Sequence, residues 1–98
     1  MITFIRSVVA MPSKLEELLA VAKESVPVNK RLHGLDVAIA ASFGGQRELA
    51  WVLDAPGVGH LEDAANKLMT DAEYRAILKK METLVMPGSV RDQIWRHV

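Results

Sequence analysis

The chain contains no cysteine. Disulfides, thiolate nucleophiles and cysteine-based zinc sites are therefore excluded. It also has no excess of charge of either sign, because 12 Lys and Arg balance 12 Asp and Glu. Whole-molecule electrostatics then offers no attraction to nucleic acid or to an anionic membrane, and neither is expected as a partner. Zero net charge also removes a repulsion that keeps copies apart, which permits self-association. No apolar run approaches the roughly 20 residues of a membrane span. The opening MITFIRSVVAMPSKLEEL alternates like a strand and lacks the basic region and cleavage site of a signal peptide. A cytoplasmic location is the expectation.

What is present is an ordinary globular composition. Half of the 98 residues are hydrophobic and 24% are charged. That length is one domain, spanning 1–98, able to bury about 60–70% of the surface its unfolded chain exposes.

Residues 2–10, ITFIRSVVA, set Ile2, Phe4, Arg6 and Val8 against Thr3, Ile5, Ser7 and Val9, a strand pattern with both parities largely apolar. Ser13 and Glu16 fit a capping box that opens a helix of about 13–32. Leu15, Leu18, Leu19, Ala22 and Val26 share one face of it. Pro27 should kink or end that helix, and Gly34 suits the left-handed position just past it. LDVAIAAS (35–42) and ELAWVLD (48–54) read as strands joined by the hairpin loop FGGQR. A helical pattern from Leu61 to Met69 restarts at a second cap, either the box Thr70-x-x-Glu73 or Asp71, and continues through Val85. Pro87-Gly88 breaks it, and SVRDQIWRHV (89–98) reads as the last strand.

The order β-α-β-β-α-β predicts an α+β, ferredoxin-like split βαβ fold, a four-stranded antiparallel sheet with its helices on one face. The other face should then be polar if it meets water. It is not clearly so: the first strand has apolar residues on both parities, the second carries Asp36, Ala38, Ala40 and Ser42 opposite Leu35, Val37, Ile39 and Ala41, and the third carries Ala50 and Val52 opposite Leu49, Trp51 and Leu53. A second copy packed sheet to sheet is the simplest cover, so a homodimer, or a larger oligomer built from dimers, is expected.

Few residues signal chemistry. His33 suits a helix C-terminus, His60 opens a helical segment and His97 is penultimate. None has a second His or carboxylate at the spacing of a helical metal site, so no metal is expected. His60 and His97 flank sheet ends and are the histidines best placed to act in catalysis. Trp51 is mid-strand, an anchor for the core or for a cleft. Arg6 is mid-strand in an apolar surround and needs a partner, for which Asp36, Glu48, Asp54 or a bound anion would serve. FGGQR has neither the GxGxxG nor the P-loop pattern, which argues against nucleotide binding.

Two stretches carry a family resemblance. The opening strand running into MPSKLEELLAV resembles the strand–xPGKxxEfl–helix opening of the dimeric α/β-barrel superfamily, with Ser13 where Gly is usual. LAWVLDAPGVGHLEDAANKLMTDAEYRAIL resembles its strand, connector, helix, D-x-E-Y restart and further helix. Within that superfamily the chain resembles NIPSNAP-like small proteins first and the antibiotic-biosynthesis-monooxygenase-like group second. The resemblance implies a dimeric α/β barrel whose second helical region breaks at MTDAEYRAI, with Tyr74 facing inward. It argues against the haem-degrading members, which carry an Asn on the first strand, a Trp and a ligating His on the second helical region. Here Arg6 or Ser7 stands on the strand, and no His follows Tyr74 until His97. Haem is not expected, nor any other cofactor.

The resulting expectation is a small homodimer with an apolar cleft between sheet and helices that binds or transforms a small organic molecule. Arg6, Trp51 and Tyr74 would bind it. If the protein is an enzyme, it would be a cofactor-independent monooxygenase or isomerase. Arg6, Tyr74 and His60 are then the catalytic candidates, with Tyr74 donating to a carbonyl and Arg6 stabilising an oxyanion. The alternative is a non-catalytic dimerisation or regulatory module.

Overall fold

The computed structural model describes residues 1–98. In chain order the elements are β1 (Ile2–Val9), α1 (Leu15–His33), β2 (Val37–Ala41), β3 (Glu48–Ala55), α2 (Val58–Met69), α3 (Ala72–Met81) and β4 (Arg91–Arg96). The strands form one antiparallel sheet in the order β2-β3-β1-β4. This is the α+β, ferredoxin-like arrangement, with the second helical region split in two.

Alternation along β1 sorts the sheet into two faces. Ile2 and Val8 are buried on one, together with Leu49 of β3 and Val37 of β2. On that face Leu18 and Ala22 of α1 and Ile77 and Met81 of α3 join Val8 and Leu49 in a single core. Leu18 and Leu49 are fully enclosed, and burial of a Leu side chain contributes about 1.5–3 kcal/mol. Thr3, Ile5 and Ser7 point to the opposite face with their cross-strand partners Asp54, Val52 and Ala50, and no helix packs there. β4 is exposed along its whole length.

The hairpin and the first helix stop form as the residue types dictate. Gly44 and Gly45 turn the β2–β3 loop at positive φ, and Gly34 closes α1 in the left-handed region with its N–H on the Lys30 carbonyl. Pro27 lies inside α1 without ending it.

Three details differ from the sequence reading, and one choice that it left open is decided. Ser13 does not cap α1. It sits at φ +63° as the third residue of a turn closed by the Lys14 N–H on the Met11 carbonyl at 3.0 Å, and Lys14 takes the cap position without a side-chain bond. At the helix restart Asp71, rather than Thr70, is the cap. Its carboxylate accepts the Tyr74 N–H at 2.9 Å, while the Thr70 hydroxyl turns back onto the carbonyls of Asn66 and Lys67. Helix α3 ends at Met81, short of Val85, because Val85 bridges Ala10 and Leu84 accepts the Met11 N–H. The last strand is also shorter than 89–98, because Ser89 is committed to the Pro87-Gly88 turn and accepts the Val9 N–H through its hydroxyl.

Candidate functional site

Between the helix-covered face of the sheet and the helices lies a cleft of about 360 Å³. Phe4 and Arg6 of β1, Trp51 and Leu53 of β3 and Ile94 of β4 form its floor. Leu61, Ala65 and Leu68 of α2 face them, and Asn29 and His33 enter from α1. Tyr74 and Met81 of α3 close the α3 side. On the β4 side of the floor, Ile94 remains 53% exposed. A mostly apolar recess of this size with a few inward polar groups has the character of a small-molecule site.

Arg6 is the cation of this floor. Its cross-strand neighbours are Trp51 on one side and Asp92 on the other. The Nε and Nη2 groups donate to the two carboxylate oxygens of Asp92 at 2.7 and 2.8 Å. The guanidinium also lies 5.7 Å from the centre of the Phe4 ring, in the range of a cation–π contact. The partner of Arg6 is thus Asp92, not Asp36, Glu48 or Asp54. Its hydrogen bond to Asp92 raises the Arg6 pKa further and holds the Asp92 carboxyl below the usual carboxylate range. The Arg6 side chain lines the cleft and is still 46% exposed.

Tyr74 is set by the Asp71 cap that starts α3 and is half-buried. Burial pushes its phenol pKa up, and the nearby Arg6 charge pulls it partly back. The hydroxyl is therefore protonated at neutral pH and is a donor. Its backbone N–H is bonded to Asp71, but no protein hydrogen bond uses the hydroxyl.

A chain of hydrogen bonds holds the wall formed by α1. The Trp51 indole N–H donates to Ser25 Oγ at 3.2 Å, and that hydroxyl donates to the Ala22 carbonyl at 2.6 Å. Asn29 Nδ2 donates to the Ser25 carbonyl at 2.7 Å. His33 Nε2 lies 2.7 Å from Asn29 Oδ1, and His33 Nδ1 accepts the Leu35 N–H at 3.3 Å. Accepting at Nδ1 assigns the proton to Nε2, so the ring is neutral and Nε2 donates to Asn29. Burial pushes the His33 pKa down, and the charge of Lys67 adds to this.

The cleft brings together three of the residues singled out from the sequence, Arg6, Trp51 and Tyr74. His60 is exposed in the first turn of α2 and does not line it. His97 lies beyond β4, with Nε2 2.6 Å from the Thr3 hydroxyl and 3.7 Å from Asp54, at the end of the uncovered face. Sequence reasoning missed Asn29, the place of His33 in the cleft, and Asp92. The i, i+4 spacing of Ser25, Asn29 and His33 on one helix was the available signal for the first two. Asp92 could be found only from strand register. No group of three His, Cys, Asp or Glu side chains is arranged to hold a metal ion.

Comparison with known proteins gives the fold a context. No family model matches the chain, and no curated protein matches it. Solved structures do. A NIPSNAP family protein from Agrobacterium tumefaciens superposes with a TM-score of 0.86 at 20% identity, over 100% of this chain and 88% of that one. A NIPSNAP domain protein from Burkholderia xenovorans gives 0.85 at 10% identity, over 100% and 95% of the two chains. An antibiotic-biosynthesis-monooxygenase-like protein from Bordetella bronchiseptica gives 0.78 at 18% identity, over 99% and 96%. At these identities the likeness is one of fold, and the fold is that of the NIPSNAP and monooxygenase-like proteins the sequence resembles.

Proposed function

We propose that the protein works as a homodimer, joined through the uncovered faces of two sheets, and binds a small, largely apolar organic molecule in the cleft without a metal or organic cofactor. The observation that carries the ligand reading is the convergence of Arg6, Trp51 and Tyr74 in one apolar recess. A purely structural space of that kind would be filled by side chains, because interiors pack close to crystal density.

Support for the dimer comes from the composition of the uncovered face. Ile5 and Val52 are paired across β1 and β3, and Ala38 and Ala40 extend the apolar surface onto β2. All three helices are committed to the other face. A second copy is the occupant this face fits, since the chain carries no net charge to oppose self-association.

Native mass spectrometry of gently purified protein tests both parts. A dimer that retains an organic mass is expected. A monomer overturns the sheet-to-sheet assembly. A dimer that neither retains nor takes up an organic molecule overturns the cleft reading and leaves assembly as the function.

A further inference from the structure

We infer that the ligand of this cleft is an apolar molecule ending in a carboxylate, gripped by the free edge of the Arg6 guanidinium and by the Tyr74 hydroxyl. This deepens the ligand reading above and rests on it. A guanidinium carries five N–H donors in a planar fork. Asp92 takes the Nε–H and one Nη2–H. The remaining Nη2–H and the Nη1–H beside it form a second edge in the same plane, the other Nη1–H points back toward Cδ, and no protein acceptor uses any of the three. That edge matches a carboxylate bidentately.

The surroundings make it more than a solvated surface arginine. Asp92 holds the fork from one side, the Phe4 ring lies beside it, and Trp51 is its cross-strand neighbour. Held in this way, Arg6 loses little side-chain freedom when a ligand binds. Trp51 does not compete for the anion, because its N–H is committed to Ser25. His33 is neutral and donates to Asn29, so it brings no second positive charge. The Tyr74 hydroxyl lines the same recess, within electrostatic reach of Arg6, and is unclaimed by the protein. Both donors are available to an oxyanion, while Leu53, Leu61, Leu68 and Ile94 are available to an apolar body. The carboxylate of Glu62 also lines the cleft from α2 and disfavours a second anionic group on the ligand. One negative charge per ligand follows.

Asp92 gives the inference a distinctive sign. It orients Arg6 but also neutralises part of its charge. Removing the carboxylate while keeping the shape should strengthen binding of an anion. A pair that serves only to fasten β1 to β4 would show the opposite, because loosening the strand opens the cleft floor.

The test is calorimetric titration of the intact protein with octanoate and with octan-1-ol, which share an apolar body and differ in the head group. Octanoate should bind about tenfold more tightly or better, the discrimination of one charge-assisted pair. Asp92→Asn should raise octanoate affinity several-fold and leave octan-1-ol unchanged. Arg6→Gln should bring the two affinities together, and Tyr74→Phe should weaken octanoate alone. Equal binding of acid and alcohol by the native protein overturns the carboxylate assignment and leaves the cleft reading standing. Weaker octanoate binding by Asp92→Asn overturns it as well, even if Arg6→Gln fails to fold. Binding of neither compound removes both the inference and the ligand reading beneath it.

Discussion

Trp51 and Ser25 join the sheet to the first helix through one hydrogen bond of 3.2 Å, from the indole N–H to a hydroxyl that is 1% exposed. The Ser25 hydroxyl itself donates a hydrogen bond to the Ala22 carbonyl, so the pair is fully used. Ser25→Ala removes the acceptor and leaves the indole N–H facing an apolar wall. The expected loss is about 1–3 kcal/mol, the cost of a buried donor without a partner. In a Trp51→Phe background, where that donor is absent, the same substitution should cost clearly less. Urea unfolding of the four proteins of this cycle measures the difference, and an equal cost in both backgrounds would show that the bond contributes nothing.

The start of α3 depends on one carboxylate. Asp71 accepts the Tyr74 N–H and also receives Arg31 from the last turn of α1, with Glu73 on the same guanidinium at 3.2 Å. The N–H of Tyr74 and the Arg31 side chain together hold the Asp71 carboxyl below the usual range. Asp71→Ala should cost about 1 kcal/mol through the lost cap, with Asp71→Asn retaining most of it. Because Tyr74 is the capped residue, the alanine variant should also broaden its ring resonances in NMR spectra. Unchanged stability in both variants would mean that α3 is held by packing alone.

Two turns of the same kind carry different residues. Met11-Pro12-Ser13-Lys14 and Met86-Pro87-Gly88-Ser89 each have Pro second and a positive φ third, +63° at Ser13 and +75° at Gly88. Each is closed by the N–H of its fourth residue on the carbonyl of its first. This turn requires a left-handed third residue, which an L side chain adopts at a cost of roughly 1–2 kcal/mol. Ser13→Gly should therefore stabilise the protein, offset in part by the greater freedom of glycine in the unfolded chain. A rise of a few degrees in Tm is expected, since about 1 kcal/mol corresponds to about 4–8 °C in a domain of this size. Gly88→Ser should lower Tm. A fall in Tm for Ser13→Gly would show that the Ser13 side chain contributes something beyond the turn.

His33 makes the fold acid-sensitive. Its pKa is lowered from 6.5 in the folded protein by burial first and by Lys67 second. The folded state therefore binds fewer protons than the unfolded state between the two values. The stability it contributes is complete above 6.5 and is lost as pH falls from there toward the folded value. Protonation would also end the acceptance of the Leu35 N–H at Nδ1. His33→Gln should flatten the stability profile in that window, as read from unfolding midpoints at stepped pH. A native profile that is already flat there would remove the argument.

Much of the architecture was legible in the chain. The alternation of β1, the Gly44-Gly45 hairpin, the Gly34 helix stop and the break near Asp71 are local patterns, set by side-chain period and backbone preference. The misreadings fall where local signals compete. Ser13 has the chemistry of a cap, but Pro12 before it imposes a turn that takes Ser13 into the left-handed region. Val85 continues the helical spacing of α3, yet pairs with Ala10 because the end of β1 still offers backbone partners. Both outcomes depend on which hydrogen bonds are available elsewhere in the molecule.

The sequence alone determined the fold class, the absence of thiol chemistry and the presence of apolar residues on both sheet faces, because composition and period survive without knowledge of contacts. Only the tertiary structure decided what Arg6 does. Its partner, Asp92, is 86 residues away and was not among the carboxylates weighed from the sequence. Register across two neighbouring strands places that charge beside Arg6 and Trp51 on its other side. The packing of α3 then brings Tyr74 to the same recess. Spacing along a chain reports the local period, whereas a site assembled from β1, β3, β4 and three helices exists only once the sheet has closed and the helices have packed on it.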